Sequence, residues 1–333
     1  MAGKLDLDLD LDLDLDLGTR AGPGTGFGPR FNSDDFPKLI PTPFPNNLPI
    51  PQRDYSVDGW DPELRSWAFV EEFIGSFAAT TPVLAILAGI KTQTFFPVPD
   101  RHGMIGGIAN PMQTADVSKQ VLGVLNASID RADRALEILD QASGQGALHY
   151  WTGLLRIDPS KDKNTFLLML VARKIGEYVA MGLKNIFQMR RPAQVYPWIM
   201  PLIDGPDTPS FPSSHSLQAH LISAVLKLAL RNPEFWPPMP PPAIWPGPPA
   251  PWPPKGWPPR RWPSTGETAK ALDELADRVA YNREVAGVHY NMDTQCGQWA
   301  ALHCLFQLRN PASATPLFKG LVAAAQPELA DLP

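Results

Sequence analysis

The chain has little cysteine: Cys296 and Cys304 are the only two in 333 residues. Eight positions apart on one helix, their Cα atoms would lie about 12 Å from each other. A disulfide needs less than about 7 Å. The expectation is a pair of buried, reduced thiols, as suits a cytoplasmic protein. No Cys/His spacing resembles a zinc site. Charge is sparse too, at 19% of residues, and its balance is acidic, with a net charge of −5. Duplex binding usually rests on a broad basic face, so no nucleic-acid partner is expected. A long apolar run is also lacking. The longest, roughly Phe77 to Ile90, is broken by Thr80, Thr81 and Pro82 and is too short to span a bilayer. The amino terminus, Met1-Ala2-Gly3-Lys4 followed by alternating Leu and Asp, has no continuous apolar core, so a signal peptide is not expected. These absences point to a protein that is not integral to a membrane and works in the cytoplasm. They leave homo-oligomerisation open.

Proline, by contrast, is plentiful: 39 residues, against a usual share of about 5%. The prolines cluster and so mark segments. Residues 1–60 read as an extended or disordered arm. Within it Leu5 to Leu17 alternate with Asp, a period that suits one face of a strand or, since the aspartates repel, a low-complexity disordered stretch. Residues 233–263 form a Pro/Trp-rich loop insert carrying Trp236, Trp245, Trp252, Trp257 and Trp262. Neither helix nor central strand tolerates that composition. A covering on the protein's own surface, a lid, a substrate platform and a docking segment all fit it.

Between these segments the periodicity is helical. Asp61-Pro62 is a helix start, with a helix expected to about Thr80. Ala115 to Ala142 carries an apolar stripe: Val117, Val121, Val124, Leu125, Ile129, Ala132, Leu136 and Leu139. Asn164 to Gln188 is apolar nearly all round. His215 to Leu230, Thr265 to Glu284 and Asp293 to Leu308 complete the set. The expected fold is all-α, a multi-helix bundle in one domain over residues 61–310, with residues 311–333 as a C-terminal tail.

Three short patterns carry the chemistry. The first is Lys184-x6-Arg191-Pro192. In a continuous helix seven residues make almost two turns, which would set both cations on one face, with Pro192 ending the helix at Arg191. The second is Pro212-Ser213-Ser214-His215. Ser213 is a good N-cap before an apolar-periodic run. The free amides of Ser214 and His215 at the positive end of that helix would form an anion site. His215 would be placed to give or take a proton. The third is Asn282-Arg283-x5-His289-x3-Asp293. Gly287 is a natural left-handed stop for the helix that ends in Arg283. Asp293 can accept from one nitrogen of His289 and leave the other's lone pair to the pocket. Each fragment alone also reads blandly: a solvated basic face, an ordinary N-cap with a surface His, a capping Asp with a core His. Their occurrence in this order on helix termini favours a common site.

In order, spacing and residue type the three patterns resemble the superfamily that joins type 2 phosphatidic acid phosphatases, bacterial non-specific acid phosphatases and vanadium-dependent haloperoxidases. The resemblance spans roughly residues 170–308. It implies a helical bundle of that type and an anion cradle. Lys184, Arg191 and Arg283 would hold the equatorial oxygens of phosphate or vanadate. The hydroxyl of Ser213 and the amide of Ser214 would add hydrogen bonds. His215 would be the general acid, His289 the nucleophile or the axial vanadate ligand, and Asp293 the residue that steadies it. Two positions depart from the pattern: Ser214 replaces the usual Gly, and Asn282 replaces a frequent Ser. Haloperoxidases of that superfamily often place an aromatic or His at the position of Thr208, and some a Trp at that of Met181. The first expectation is therefore a phosphate-ester or diphosphate hydrolase working through a phosphohistidine, with no cofactor and a small anionic substrate. The second is a vanadium haloperoxidase, with vanadate on His289 and peroxide plus halide as substrates. The third is a non-catalytic scaffold binding partners through the Pro/Trp-rich insert.

Overall fold

The structure, a computed structural model, describes residues 61–77, 81–90, 104–105, 108–109, 117–142, 147–230, 266–310 and 313–330. The expected arm and the whole of the Pro/Trp-rich insert lie outside the described residues. What is described is mainly helical. A two-residue antiparallel ladder, β1 (Met104–Ile105) with β2 (Ile108–Ala109), is the only strand pairing among these residues.

Helix α1 (Pro62–Gly75) begins as expected, with the Asp61 carboxylate accepting from the Glu63 amide at 2.9 Å and Pro62 at the first position. It stops short of Thr80. After α2 (Pro82–Ile90), the stretch expected as one helix over 115–142 is broken. It forms α3 (Val117–Ala127), a 3-10 turn (Ser128–Asp130) and α4 (Arg131–Gln141). The apolar stripe assigned to it faces the core in α3, where Val124 is buried and Val121 and Leu125 pack beside it. Beyond α3 it does not. Ile129 and Leu136 are 79% and 85% exposed, and α4 buries Ile138 and Gln141 instead. The physical reason is what α4 packs against. Arg131, Arg134, Glu137 and Gln141 fall at helical spacing on one side and bond to the polar C-terminal end of α9 (Glu267–Ala286). A polar partner inverted the amphipathic reading.

Helix α5 (Leu148–Leu155) leads to α6 (Lys163–Phe187), buried over most of its length as predicted. Then come the one-turn α7 (Pro192–Val195), α8 (Ser214–Ala229), α9 and α10 (Asn291–Arg309). Helix α8 is the hub and packs against α6, α9 and α10. Its amino terminus lies close to that of α10. A Cβ at Gly297 on α10 would stand 2.7 Å from the Ser213 carbonyl oxygen and 2.8 Å from the Ser216 Cβ. Only glycine allows this approach, and it brings the second and third sequence patterns together. The Ser213 amide donates to the Asp293 carbonyl at 3.1 Å across the same contact. Cys296 and Cys304 are free and buried, as expected.

The expected C-terminal tail is a further correction. Helix α11 (Pro316–Ala325) and a 3-10 turn (Pro327–Leu329) belong to the bundle, with Phe318, Leu321, Val322, Ala325 and Leu329 in its core. Two carboxylates fix the segment at helix N-termini, where backbone donors lack helical partners. Glu72 accepts from the Leu317 and Phe318 amides at 2.6 and 2.9 Å. Glu328 accepts from the Thr165 amide and hydroxyl, both at 2.7 Å, and from the Asn164 amide and side chain at 3.1 and 2.7 Å. Sequence patterning misses such caps because the partners are far apart in the chain. No helix among the described residues is long and apolar enough to cross a membrane.

Glu328→Ala should lower unfolding stability by about 1–2 kcal/mol, measured by urea denaturation, with helix content unchanged. A loss within experimental error would show that Glu328 does not support α6.

Candidate active site

The three separated patterns meet at the amino termini of α8 and α10. Lys184 is in the last turn of α6, and its ammonium donates to the backbone carbonyls of Pro209 and Ser210. Arg191 is not on that helix. The chain leaves α6 through Gln188 in the left-handed region, at φ 48°, and Arg191 is extended as the N-cap of α7. Lys184 and Arg191 therefore do not share a helix face as predicted; the turn after Phe187 brings them to one site. The requirement of the residue before proline for extended backbone acts at Arg191 itself and starts a new helix there. Arg190 is exposed.

The Arg191 guanidinium is held on several sides. Its Nε donates to the carbonyls of Pro206 and Thr208 at 3.0 and 2.9 Å. Its Nη2 donates to the Thr208 hydroxyl at 3.1 Å, and its Nη1 to the Val288 carbonyl at 3.0 Å. Thr208, noted in the sequence for what it is not, serves here to aim Arg191. Arg283 lies in the last turn of α9 and is 1% exposed. Its Nη2 donates to the Gln141 side-chain oxygen at 3.1 Å and to the Ile138 carbonyl at 3.3 Å. Its Nε is buried with no hydrogen-bond partner among the described residues. The acceptors named for the three cations are carbonyls, a side-chain amide and a hydroxyl. Such groups orient a positive charge without cancelling it.

Ser213 is the N-cap of α8, as predicted, but its hydroxyl oxygen accepts from the Ser216 amide at 3.3 Å. Ser214 and His215 follow in the first turn and are half-buried, while Lys184, Arg191, Ser213, Arg283, His289 and Asp293 are buried. The cluster therefore reaches solvent over the α8 terminus. Gly287, at φ 86°, stops α9, and α10 starts at Asn291, two residues before the predicted start, so Asp293 lies inside its first turn.

Asp293 Oδ2 accepts from three donors: His289 Nδ1 at 3.0 Å, the Tyr290 amide at 3.0 Å and the Ser210 hydroxyl at 2.5 Å. The bond from Nδ1 fixes the tautomer. His289 Nε2 then carries the lone pair, and Arg191 Nη1 stands 3.5 Å from it. Burial, then the charges of Arg191, Lys184 and Arg283, hold His289 well below the ordinary histidine range. Burial, then Arg283, His289 and Lys184, do the same to His215, opposed by the Gln141 backbone. These mutual influences place Lys184, Arg191, Arg283, His215, His289 and Asp293 in one electrostatic neighbourhood. Burial pushes Asp293 up to about 6, against the Ser210 hydroxyl, the Tyr290 amide, Lys184 and Arg191, which hold it down.

Three supporting residues escaped the sequence reading. Ser210 sits three positions before Ser213, and nothing in its own pattern marks it. Gln141 and Glu137 lie on a helix upstream of all three patterns. The buried Asn282 beside Arg283 was a signal that α9 had a polar partner: its side-chain amide donates to Glu137 and Gln141, both at 3.0 Å. Among the described residues no group of three or more His, Cys, Asp or Glu is placed to hold a metal ion.

Compared with models of protein families, the sequence matches none, and no curated protein matches it.

Ser210→Ala removes the strongest contact that holds Asp293 down, so the carboxyl should titrate above about 6. The His289 ring resonances, followed by NMR against pH, should report a midpoint moved upward. A midpoint unmoved or moved down would contradict the bonding described at Asp293.

Proposed function

We propose that this chain hydrolyses phosphate monoesters or diphosphates through a phosphohistidine formed on His289. The observation that carries the proposal is the geometry of that imidazole, with Nδ1 bonded to Asp293 and Nε2 facing Arg191 at 3.5 Å. A nucleophile needs its lone pair exposed to the reacting centre and its far side held by an acceptor. Three cations around it suit an anion whose charge moves during transfer. The Nε–H of Arg283, without a hydrogen-bond partner among the described residues, is a buried donor that such an anion would satisfy. The α8 terminus adds the helix-end field. This arrangement also supports the superfamily resemblance, which implies the same roles for the same residues.

In the proposed step His289 Nε2 attacks phosphorus. The bond from phosphorus to the ester oxygen breaks, and its electron pair leaves with that oxygen, which takes a proton from His215. Water then attacks phosphorus and passes one proton to His215, and the P–N pair returns to His289 as inorganic phosphate is released. Atoms sum to ester plus water giving alcohol plus phosphate. Lys184, Arg191 and Arg283 hold the non-bridging oxygens throughout, so stabilisation comes from positioning and charge.

Vanadate fits the same cradle because it copies the transition-state geometry. It should therefore inhibit hydrolysis. Bound on His289, it would supply a Lewis-acid centre that activates hydrogen peroxide for the alternative activity, halide oxidation, with peroxide as the oxidant. The residue at 208, often aromatic or His in such peroxidases, is engaged here with Arg191.

His289→Ala should reduce hydrolysis of a generic phosphomonoester by about 10³-fold or more, and vanadate should inhibit the unaltered enzyme. Bromide oxidation by vanadate-loaded protein, with no hydrolysis by vanadate-free protein, would replace hydrolase with peroxidase.

A pH-linked signature follows from the lowered proton affinity of both imidazoles. His215 is neutral in the free pocket at neutral pH, whereas an acid must hold its proton. An arriving dianion opposes the surrounding positive field and raises the affinity of His215 for a proton. Binding of inorganic phosphate near pH 7 should thus take up protons, and its affinity should fall as pH rises. Calorimetry in buffers of different ionisation enthalpy measures the uptake, which His215→Gln should abolish. Proton release on binding would count against His215 as the acid.

A further inference from the structure

Gln141 is the last residue of α4 and is fully buried. Its orientation is fixed by chemistry. Its Nε2 donates to the Glu137 carboxylate at 2.9 Å, and an ionised carboxylate can only accept. Its Oε1 is therefore the atom that accepts from Asn282 at 3.0 Å and from Arg283 Nη2 at 3.1 Å. Glu137 is itself held by Arg278, whose Nε lies 2.8 Å from both carboxylate oxygens. Asn282 is held from its other side by Arg134 at 3.0 Å. The Gln141 backbone also acts on the His215 ring, raising its affinity for a proton against the effect of burial. Arg283 Nη2 also donates to the Ile138 carbonyl at 3.3 Å, so both groups meet the carbonyl-rich end of α4. The negative end of a helix dipole favours cations: a guanidinium permanently, an imidazolium when it forms.

We propose that Gln141 is a positioning residue that serves the anion cradle and the acid from one support, its side-chain oxygen fixing Arg283 and its backbone facing His215. The proposal rests on the hydrolase assignment above and adds a fourth stretch of chain to the site. It gives the inverted polar face of α4 a purpose. Without the Gln141 oxygen, Arg283 Nη2 keeps, among the described residues, only the longer bond to Ile138, and the guanidinium loses its fixed plane. A residue that merely filled the α4–α9 interface would affect stability and leave proton affinity at His215 untouched.

Two variants of the full chain test this. Gln141→Met keeps the volume and removes the acceptor. Inorganic phosphate, titrated calorimetrically, should bind about tenfold more weakly, with kcat/KM for a phosphomonoester falling in step. Gln141→Glu keeps an acceptor for Arg283 and adds negative charge beside His215. The His215 titration midpoint, read by NMR in phosphate-free protein, should rise by about one pH unit, and the alkaline limb of the kcat profile should move the same way. An unmoved His215 midpoint in Gln141→Glu, or unchanged phosphate affinity in folded Gln141→Met, overturns the proposal. Should Gln141→Met fail to fold, the midpoint in Gln141→Glu decides alone. Phosphate binding by neither wild type nor variants would defeat the hydrolase assignment, while the NMR midpoint still decides the role of Gln141.

Discussion

Gathering positive charge inside a low-dielectric bundle is the constraint on which the rest of this molecule depends. Lys184, Arg191 and Arg283 are buried, and each guanidinium or ammonium must have acceptors or the fold loses several kcal/mol. Pairing each with a carboxylate would quench the field that makes an anion site. The chain instead offers carbonyls from the 206–210 loop, from Val288 and from the end of α4. These carbonyls set direction and leave the charge standing. Much of the local architecture serves this need: the irregular loop before α8, the left-handed exits from α6 and α9, and a polar helix laid along α9.

The carboxylate that faces His289 has a different task. Asp293 faces His289 through one oxygen, Oδ2, on which three donors converge. Its other oxygen, Oδ1, is buried with no hydrogen-bond partner among the described residues, which fits its raised proton affinity. A carboxylate so placed orients an imidazole strongly and gives little charge back to the surroundings. Orientation is thus separated from neutralisation at His289.

The site was more legible in the sequence than the fold around it. Lys184, Arg191, Ser213, His215, Arg283, His289 and Asp293 could be named because helix caps, a left-handed glycine and the order of the three patterns are local signals. Helices α6, α8, α9 and α10 were legible for the same reason: their periodicity is strong and their ends carry local punctuation. What escaped depends on distant partners. The helix was expected to run on to Arg191 because nothing at Gln188 announces a turn. Helix α4 was read with its face reversed because apolar periodicity assumes an apolar neighbour, and α9 presents Asn282 and Arg283. Residues 311–333 looked like a tail because their anchors, Glu72 in α1 and the amino end of α6, lie far back in the chain.

The anchor at Glu328 has a consequence for the order of events during synthesis. The donors it satisfies, on Asn164 and Thr165, are made 163 or 164 positions earlier. Until that glutamate clears the ribosome exit tunnel, the amino end of α6 has only water or a chaperone to meet its amides. The helix that delivers Lys184 is therefore completed late, and translation must pass well beyond the last residue of the cradle before the helix carrying the first is capped.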